Sequence, residues 1–249
     1  MALPTFFAKG TFTAGISTIA PPFPLSTLAN DIALLLVETS NQLCTLSVAQ
    51  GFVEVINGTQ GSPQGTGTAA TLGSTRLTLF WKRLVGGDTA PTVADSGDHQ
   101  IGQHFVFRGC QTSGNPWNIT AGGVEATSDT SGVIPGATTT VADCLVVVMV
   151  SMSFDVSSNG TELSGWTNAD LTSLTERADQ TNNSGLGGGF GLADGGKAAA
   201  GAYGTTSVTH VTATKKALLT VALAPPPVGT AVGQQPVVVR QAVMRSAVR

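Results

Sequence analysis

Two of the three histidines in this 249-residue chain lie beside carboxylates, within Asp95–His104 (D-S-G-D-H-Q-I-G-Q-H). These residue types supply metal ligands or an acid–base pair. On a strand running from Asp98 onward, however, His99 and His104 project to opposite faces, because side chains alternate. They then share no metal from that strand. Asp98 and His104 do share a face, but they stand roughly 20 Å apart at strand rise. A turn at Asp95–Gly97 followed by a strand accounts for the segment, since Asp and Gly are turn formers. The third histidine, His210 in S-V-T-H-V-T, reads as a half-buried strand residue.

Gly191–Lys197 (G-L-A-D-G-G-K) matches the opening of a phosphate-binding loop. That chemistry needs a Ser or Thr next, to hold magnesium, and a strand-to-helix turn around it. Residue 198 is alanine and small residues follow, so a glycine-rich loop is expected instead. No G-x-S-x-G pentapeptide presents a serine nucleophile. A carboxylate pair for glycan hydrolysis, with Asp95 or Asp98 as one member, depends on the fold rather than on spacing. Cys44, Cys110 and Cys144 form no CxxC pair, so neither a zinc site nor a disulfide framework follows. Cys144 opens the apolar run C-L-V-V-V-M-V and reads as a small buried hydrophobe. No catalytic residue, metal or cofactor is expected. Trp117 in G-N-P-W-N and Trp166 in S-G-W-T-N sit in turn-like settings. An exposed ring there offers a sugar an apolar face and a polar edge, so both are candidate glycan contacts.

The elements that would carry these residues are strands. Asp31–Thr39 is almost continuously apolar, as in a strand buried on both faces. Thr75–Leu84 alternates, with Leu77, Leu79 and Trp81 on one face and Arg76, Thr78 and Lys82 on the other; Phe80 breaks the pattern. In His99–Arg108, Ile101, Phe105 and Phe107 share a face opposite His104 and Arg108. Leu145–Phe154 is a further buried strand. Val208–Thr214 and Ala217–Ala224 read as two final strands joined by a turn near Lys215-Lys216. One helix is expected at Asn168–Asp179, capped by Asn168, with Leu171 and Leu174 three apart. Asn57–Ser74 and Thr181–Gly201 are glycine-rich and read as loops.

Only 11% of the chain is charged and it holds 31 glycines, which suits strands and tight turns. The fold class is therefore all-β: a β-sandwich or jelly-roll-like single domain over residues 1–224, with an extended C-terminal arm over residues 225–249. Pro225-Pro226-Pro227 starts the arm, because proline cannot continue a ladder. Every acid lies before Gly195, whereas Val228–Arg249 contains Arg240, Arg245 and Arg249 and no acid. The arm is basic and valine-rich, and it is expected to dock on a partner subunit through Val237, Val238, Val239, Arg240, Val243, Met244, Arg245, Val248 and Arg249. Val237–Val239 is the segment expected to add to a neighbour's sheet edge. The body has no dense Lys/Arg patch, so no direct nucleic-acid contact is expected. Its longest apolar runs, Ile32–Val37 and Leu145–Val150, are too short to span a bilayer. The N-terminus lacks the basic and apolar regions of a signal peptide.

Several stretches resemble structural proteins of tailed-bacteriophage virions: N-D-I-A-L-L-L-V-E-T-S-N-Q, R-L-T-L-F-W-K-R, G-D-T-A-P-T-V-A-D-S-G-D-H-Q and F-R-G-C-Q-T-S-G-N-P-W. So do the later G-W-T-N-A-D-L-T-S-L-T-E-R-A-D and A-A-A-G-A-Y-G; together they span most of residues 30–224. The resemblance implies a β-sandwich virion component assembled in the host cytoplasm, either a capsid decoration or cement subunit or a tail or neck appendage. Its implied partners are other capsid or tail subunits and further copies of itself, as a trimer or another symmetric oligomer. It carries over no functional residue, and the arm lies outside it. A carbohydrate-binding, receptor-recognising module is the alternative reading and a glycan hydrolase the next.

Overall fold

The computed structural model describes residues 2–56, 60–157 and 159–227. The arm residues named above, from Val237 to Arg249, therefore lie outside the described residues. The described chain is all-β and sandwich-like, built on two antiparallel sheets. The first runs in the order β1 (Thr5–Lys9), β9 (Gln100–Arg108), β3 (Ile32–Thr39), β7 (Thr75–Arg83) and β5 (Val53–Glu54). In it, β2 (Thr13–Gly15) also pairs with β9, and β6 (Gln64–Thr66) with β7. The second runs in the order β10 (Trp117–Ile134), β17 (Thr206–Leu223), β12 (Cys144–Met152), β15 (Gly188–Lys197) and β14 (Thr172–Asn182), with β13 (Leu163–Thr167) also on β17. Two small ladders, β4 (Leu46–Val48) with β8 (Thr92–Val93) and β11 (Ala137–Thr139) with β16 (Gly201–Tyr203), fasten the loops.

Apolar side chains form three layers. Leu34, Leu36, Leu77, Leu79, Phe105 and Phe107 of the first sheet meet Val147, Met149, Phe190, Leu192, Leu219 and Val221 of the second. Outside the first sheet, Leu35, Val37, Phe80 and Val106 pack under Ile19, Phe52 and Val93. Outside the second, Val146, Val148, Val150 and Ala222 pack under Leu163, Leu171 and Tyr203. This explains why β3 and β12 are apolar on both faces and buried throughout. Phe80, the exception in its strand's alternation, belongs to the outer layer.

Four sequence-based expectations are corrected. Asn168–Asp179 is not a helix; its second half is β14, and no helix occurs among the described residues. Thr181–Gly201 is not one loop, because β15 runs through it with every residue but Lys197 buried. Val208–Ala224 is not a hairpin: β17 passes unbroken through Lys215-Lys216 to Leu223. Asn57–Ser74 is interrupted by β6.

Glycine in β15 serves close packing. A Cβ on Gly188 would stand 2.3 Å from Glu38 Oε2, and one on Gly191 would stand 2.0 Å from Leu163 Cδ1.

Candidate functional site

The most concentrated group of titratable residues lies between the sheets. Glu38 of β3 is fully buried and directly follows six apolar residues, Ile32–Val37. Its Oε2 is 2.9 Å from His99 Nε2, and its Oε1 accepts a hydrogen bond from the Thr75 hydroxyl at 2.8 Å. The Thr75 oxygen also lies 2.9 Å from the Ser151 hydroxyl of β12, so the chain of polar contacts crosses from one sheet to the other. On the far side of the imidazole, Asp98 Oδ1 lies 3.5 Å from His99 Nδ1, a charge contact rather than an aligned hydrogen bond. That oxygen accepts the N–H groups of His99 (2.6 Å) and Leu186 (3.0 Å).

Burial pushes the Glu38 carboxyl above its ordinary range, against the pull of His99. Burial alone would lower His99, but the adjacent carboxylates of Glu38 and Asp98 raise it. The two groups therefore hold a proton between them. Glu38, His99, Thr75 and Ser151 are all fully buried, so this arrangement ties the sheets together rather than meeting a substrate.

The Asp95–His104 segment follows its sequence reading. Asp95 Oδ1 accepts the N–H of Gly97 in a turn, and Gly97 has φ 101°. His99 points between the sheets while His104 points outward, against Phe23 and Phe52 at ring distances of 4.5 and 5.4 Å. Burial lowers His104 to about 4. Asp98 faces Glu38 only across the His99 ring, and Asp95 is spent on its turn; neither forms an open carboxylate pair.

A second buried group lies where β10 bulges against β17. Lys216 is fully buried, and its Nζ donates to Asp129 Oδ1 (2.8 Å), the Asp129 carbonyl (3.1 Å) and the Thr214 carbonyl (3.0 Å). Glu125 Oε2 stands 3.3 Å away. His210 is buried beside it, its Nδ1 3.3 Å from Met152 Sδ. Burial and then the Lys216 charge lower His210 to about 4, so this imidazole is neutral near pH 7. Gly191–Lys197 lies within β15, an extended conformation in which no phosphate loop forms.

All three cysteines are free and buried. Burial pushes Cys44 and Cys110 up to about 12 and Cys144 up to about 11, which suppresses thiolate chemistry. Among the described residues, no group of three His, Cys, Asp or Glu side chains converges to hold a metal ion.

The two candidate sugar-contacting tryptophans are half-buried at separate places. Trp117 packs edge-on to Trp81 at 5.3 Å and lines a groove with Gln111, Asn118, Val141, Ala224, Pro225 and Pro227. The rim is fixed by Arg83, which donates to the Gln111 carbonyl at 2.7 Å, and by the Gln111 N–H, which donates to the Ala224 carbonyl at 2.8 Å. Trp166 packs on the outer apolar layer and donates its indole N–H to Glu176 Oε2 at 2.7 Å. Beside Glu176, a depression of about 350 Å³ lies along the outer edge of β14. Sequence reasoning had singled out neither the Glu38–His99 pair nor this depression. Their members are far apart in the chain, and no local pattern links them.

No protein-family model, curated protein or solved structure matches this chain.

Proposed function

We propose that this protein is a non-enzymatic structural subunit of a larger assembly, an exterior accessory component of a tailed-phage virion of decoration, neck or tail type. It binds neighbouring subunits through the arm Val228–Arg249. The observation that carries this reading is the division of the chain. β17 ends the second sheet at Leu223, and three prolines follow. Beyond them, 22 residues hold seven valines, three arginines and no acid. The whole chain carries −3, so removing the arm's three arginines leaves the rest at −6. A basic apolar segment attached to an acidic sandwich is suited to a partner surface like that of the sandwich itself. The sandwich supports the reading in a second way: Glu38 with His99 and Lys216 with Asp129 are ion pairs that join strands, and its thiols are held protonated, so it serves as a scaffold.

The test is a chain truncated after Pro227. The truncated protein is expected to keep the thermal melting of the full chain and to lose incorporation into particles, or self-association, as read by sedimentation. Incorporation that survives truncation overturns the assignment to the arm. Quantitative mass spectrometry of purified particles then separates a decoration subunit, present at copy numbers near those of the capsid protein, from an appendage present in a few copies.

A further inference from the structure

One end of the sandwich presents apolar side chains to solvent. Two turns lie side by side there, one leading into β3 and the other leaving β7. They are joined by hydrogen bonds from the Asn30 N–H to the Leu84 carbonyl (2.8 Å) and from the Leu84 N–H to the Asp31 carbonyl (2.9 Å). On the first turn Leu25 is 89% exposed and Leu28 57%; on the second Val85 is 75% exposed. Apolar residues exposed singly are ordinary, but three on two joined turns form a patch. Carboxylates fix both turns. Asp31 Oδ2 accepts the Leu28 N–H at 2.8 Å, and Arg108 donates to Asp31 Oδ1 (2.9 Å) and the Ser26 carbonyl (2.7 Å). Asp88 Oδ2 accepts the N–H groups of Val85 (2.8 Å) and Gly86 (3.0 Å), and Lys82 Nζ stands 2.5 Å from its other oxygen. Ser26 and Asn30 are held at φ 65° and 69°, where a side chain is unfavourable. These ties keep the three apolar side chains outward instead of letting the turns collapse onto the core.

The arm starts from this same end. The Ala224 carbonyl accepts the Gln111 N–H at 2.8 Å, and the Gln111 carbonyl accepts from Arg83, two residues before Val85, at 2.7 Å. Pro225 and Pro227 line the Trp117 groove, and Pro226 and Pro227 are exposed. A run of three prolines is stiff and extended, so it carries the chain outward rather than back onto its own sandwich. Val237 lies ten residues beyond Pro227, a reach of up to about 35 Å when extended. We propose that the patch of Leu25, Leu28 and Val85 receives Val237–Val239 of a second copy of this chain. The inference rests on the arm reading above and names the surface that the arm meets. The three valines and the patch both leave water on contact. Giver and receiver sit at one end of the sandwich, so two copies facing each other there exchange arms reciprocally. The contact closes on itself as an isologous pair and does not propagate into a fibre.

The test uses the full chain carrying a photo-reactive benzoylphenylalanine in place of Val238, with unlabelled and heavy-nitrogen-labelled copies mixed before irradiation. Mass spectrometry is expected to find cross-links into residues 25–31 or 84–88, joining copies of different isotopic composition. Cross-links only elsewhere, or only within one copy, overturn the proposal. In sedimentation, the full chain carrying Leu25→Ser, Leu28→Ser and Val85→Ser together should self-associate about tenfold more weakly than the parent, or less still, at an unchanged melting temperature. Leu72→Ser, exposed at the opposite end beside Ser74, should associate like the parent. A triple variant that associates like the parent, or a parent that does not self-associate, overturns the proposal. Where truncation after Pro227 abolishes association and the triple variant does not, this surface alone is wrong; where truncation too has no effect, the arm reading falls with it.

Discussion

A carboxylate buried between two sheets is destabilising unless its charge is met where it lies. Glu38 is met by His99, 61 residues away in the chain, and by Thr75. Nothing in D-I-A-L-L-L-V-E-T announces either partner; the stretch shows only that Glu38 directly follows an apolar run of six residues. The proton shared by this pair sets the expected pH response. Both folded-state values are raised, so the folded protein holds protons more tightly than the unfolded chain. The stability that His99 contributes is complete below its ordinary value of 6.5 and is lost as pH rises through the raised value. His104 and His210 act in the opposite sense: both are lowered to about 4, so their contribution is present above 6.5 and is lost as pH falls toward 4. Melting temperature should therefore peak near pH 6.5 and decline on both sides, as read by calorimetry between pH 4 and 9. Replacing both members, as Glu38→Gln with His99→Gln, should flatten the alkaline side. His99→Ala alone should destabilise by about 3 kcal/mol or more, because it strands a buried carboxyl. A melting temperature that rises steadily from pH 6.5 to 9 would falsify the shared-proton account.

β14 shows why a strand was read as a helix. Leu171 and Leu174 are three apart and both belong to the outer apolar layer, which is helical spacing. The ladder achieves the same result with an irregularity: register shifts between Thr172 and Thr175, and Ser173 sits at φ 53°. The extra residue in the bulge returns both leucines to one face. The bulged β10/β17 ribbon hides Lys216 in a similar way. Asp129 and Glu125 reach it from the bulge in β10, so an apparent pair of turn lysines lies within an unbroken strand. In β15, a run of glycines that reads as a loop is the neighbour of both β12 and β14. The space there is already taken, so Gly188→Ala, which forces a Cβ toward Glu38 and His99, should destabilise by about 1–3 kcal/mol. Gly123→Ala, whose Cβ would meet only Pro135 Cγ at 3.4 Å, is the control and should change little. Chemical denaturation of the two variants decides this; equal midpoints would mean that β15 is not sterically constrained.

At the scale of the whole molecule, charge is segregated along the chain, and an arm that docks through that segregation should be sensitive to salt. Screening shortens from about 10 Å at 0.1 M salt to about 3 Å at 1 M. Association of the full chain with its neighbours is therefore expected to weaken across that range, as followed by sedimentation. Salt-independent association would assign the contact to the valines rather than to Arg240, Arg245 and Arg249. The sequence by itself determined the all-β class, the buried strands at residues 31–39 and 145–154, and the strands at residues 75–84 and 99–108. It also determined the opposed directions of His99 and His104 and the break at Pro225. Each of these follows from a local property: side-chain alternation, β-branching, or the fixed φ and missing N–H of proline. Only the tertiary structure decided that Thr172–Asn182 is a strand, that Gly188–Lys197 is interior, and that Lys216 is buried. It alone brought Glu38 to His99 and Trp166 to Glu176. These outcomes depend on which strands become neighbours and where a ladder slips by one residue. Such choices are made by contacts between residues distant in the chain, and local pattern does not encode them.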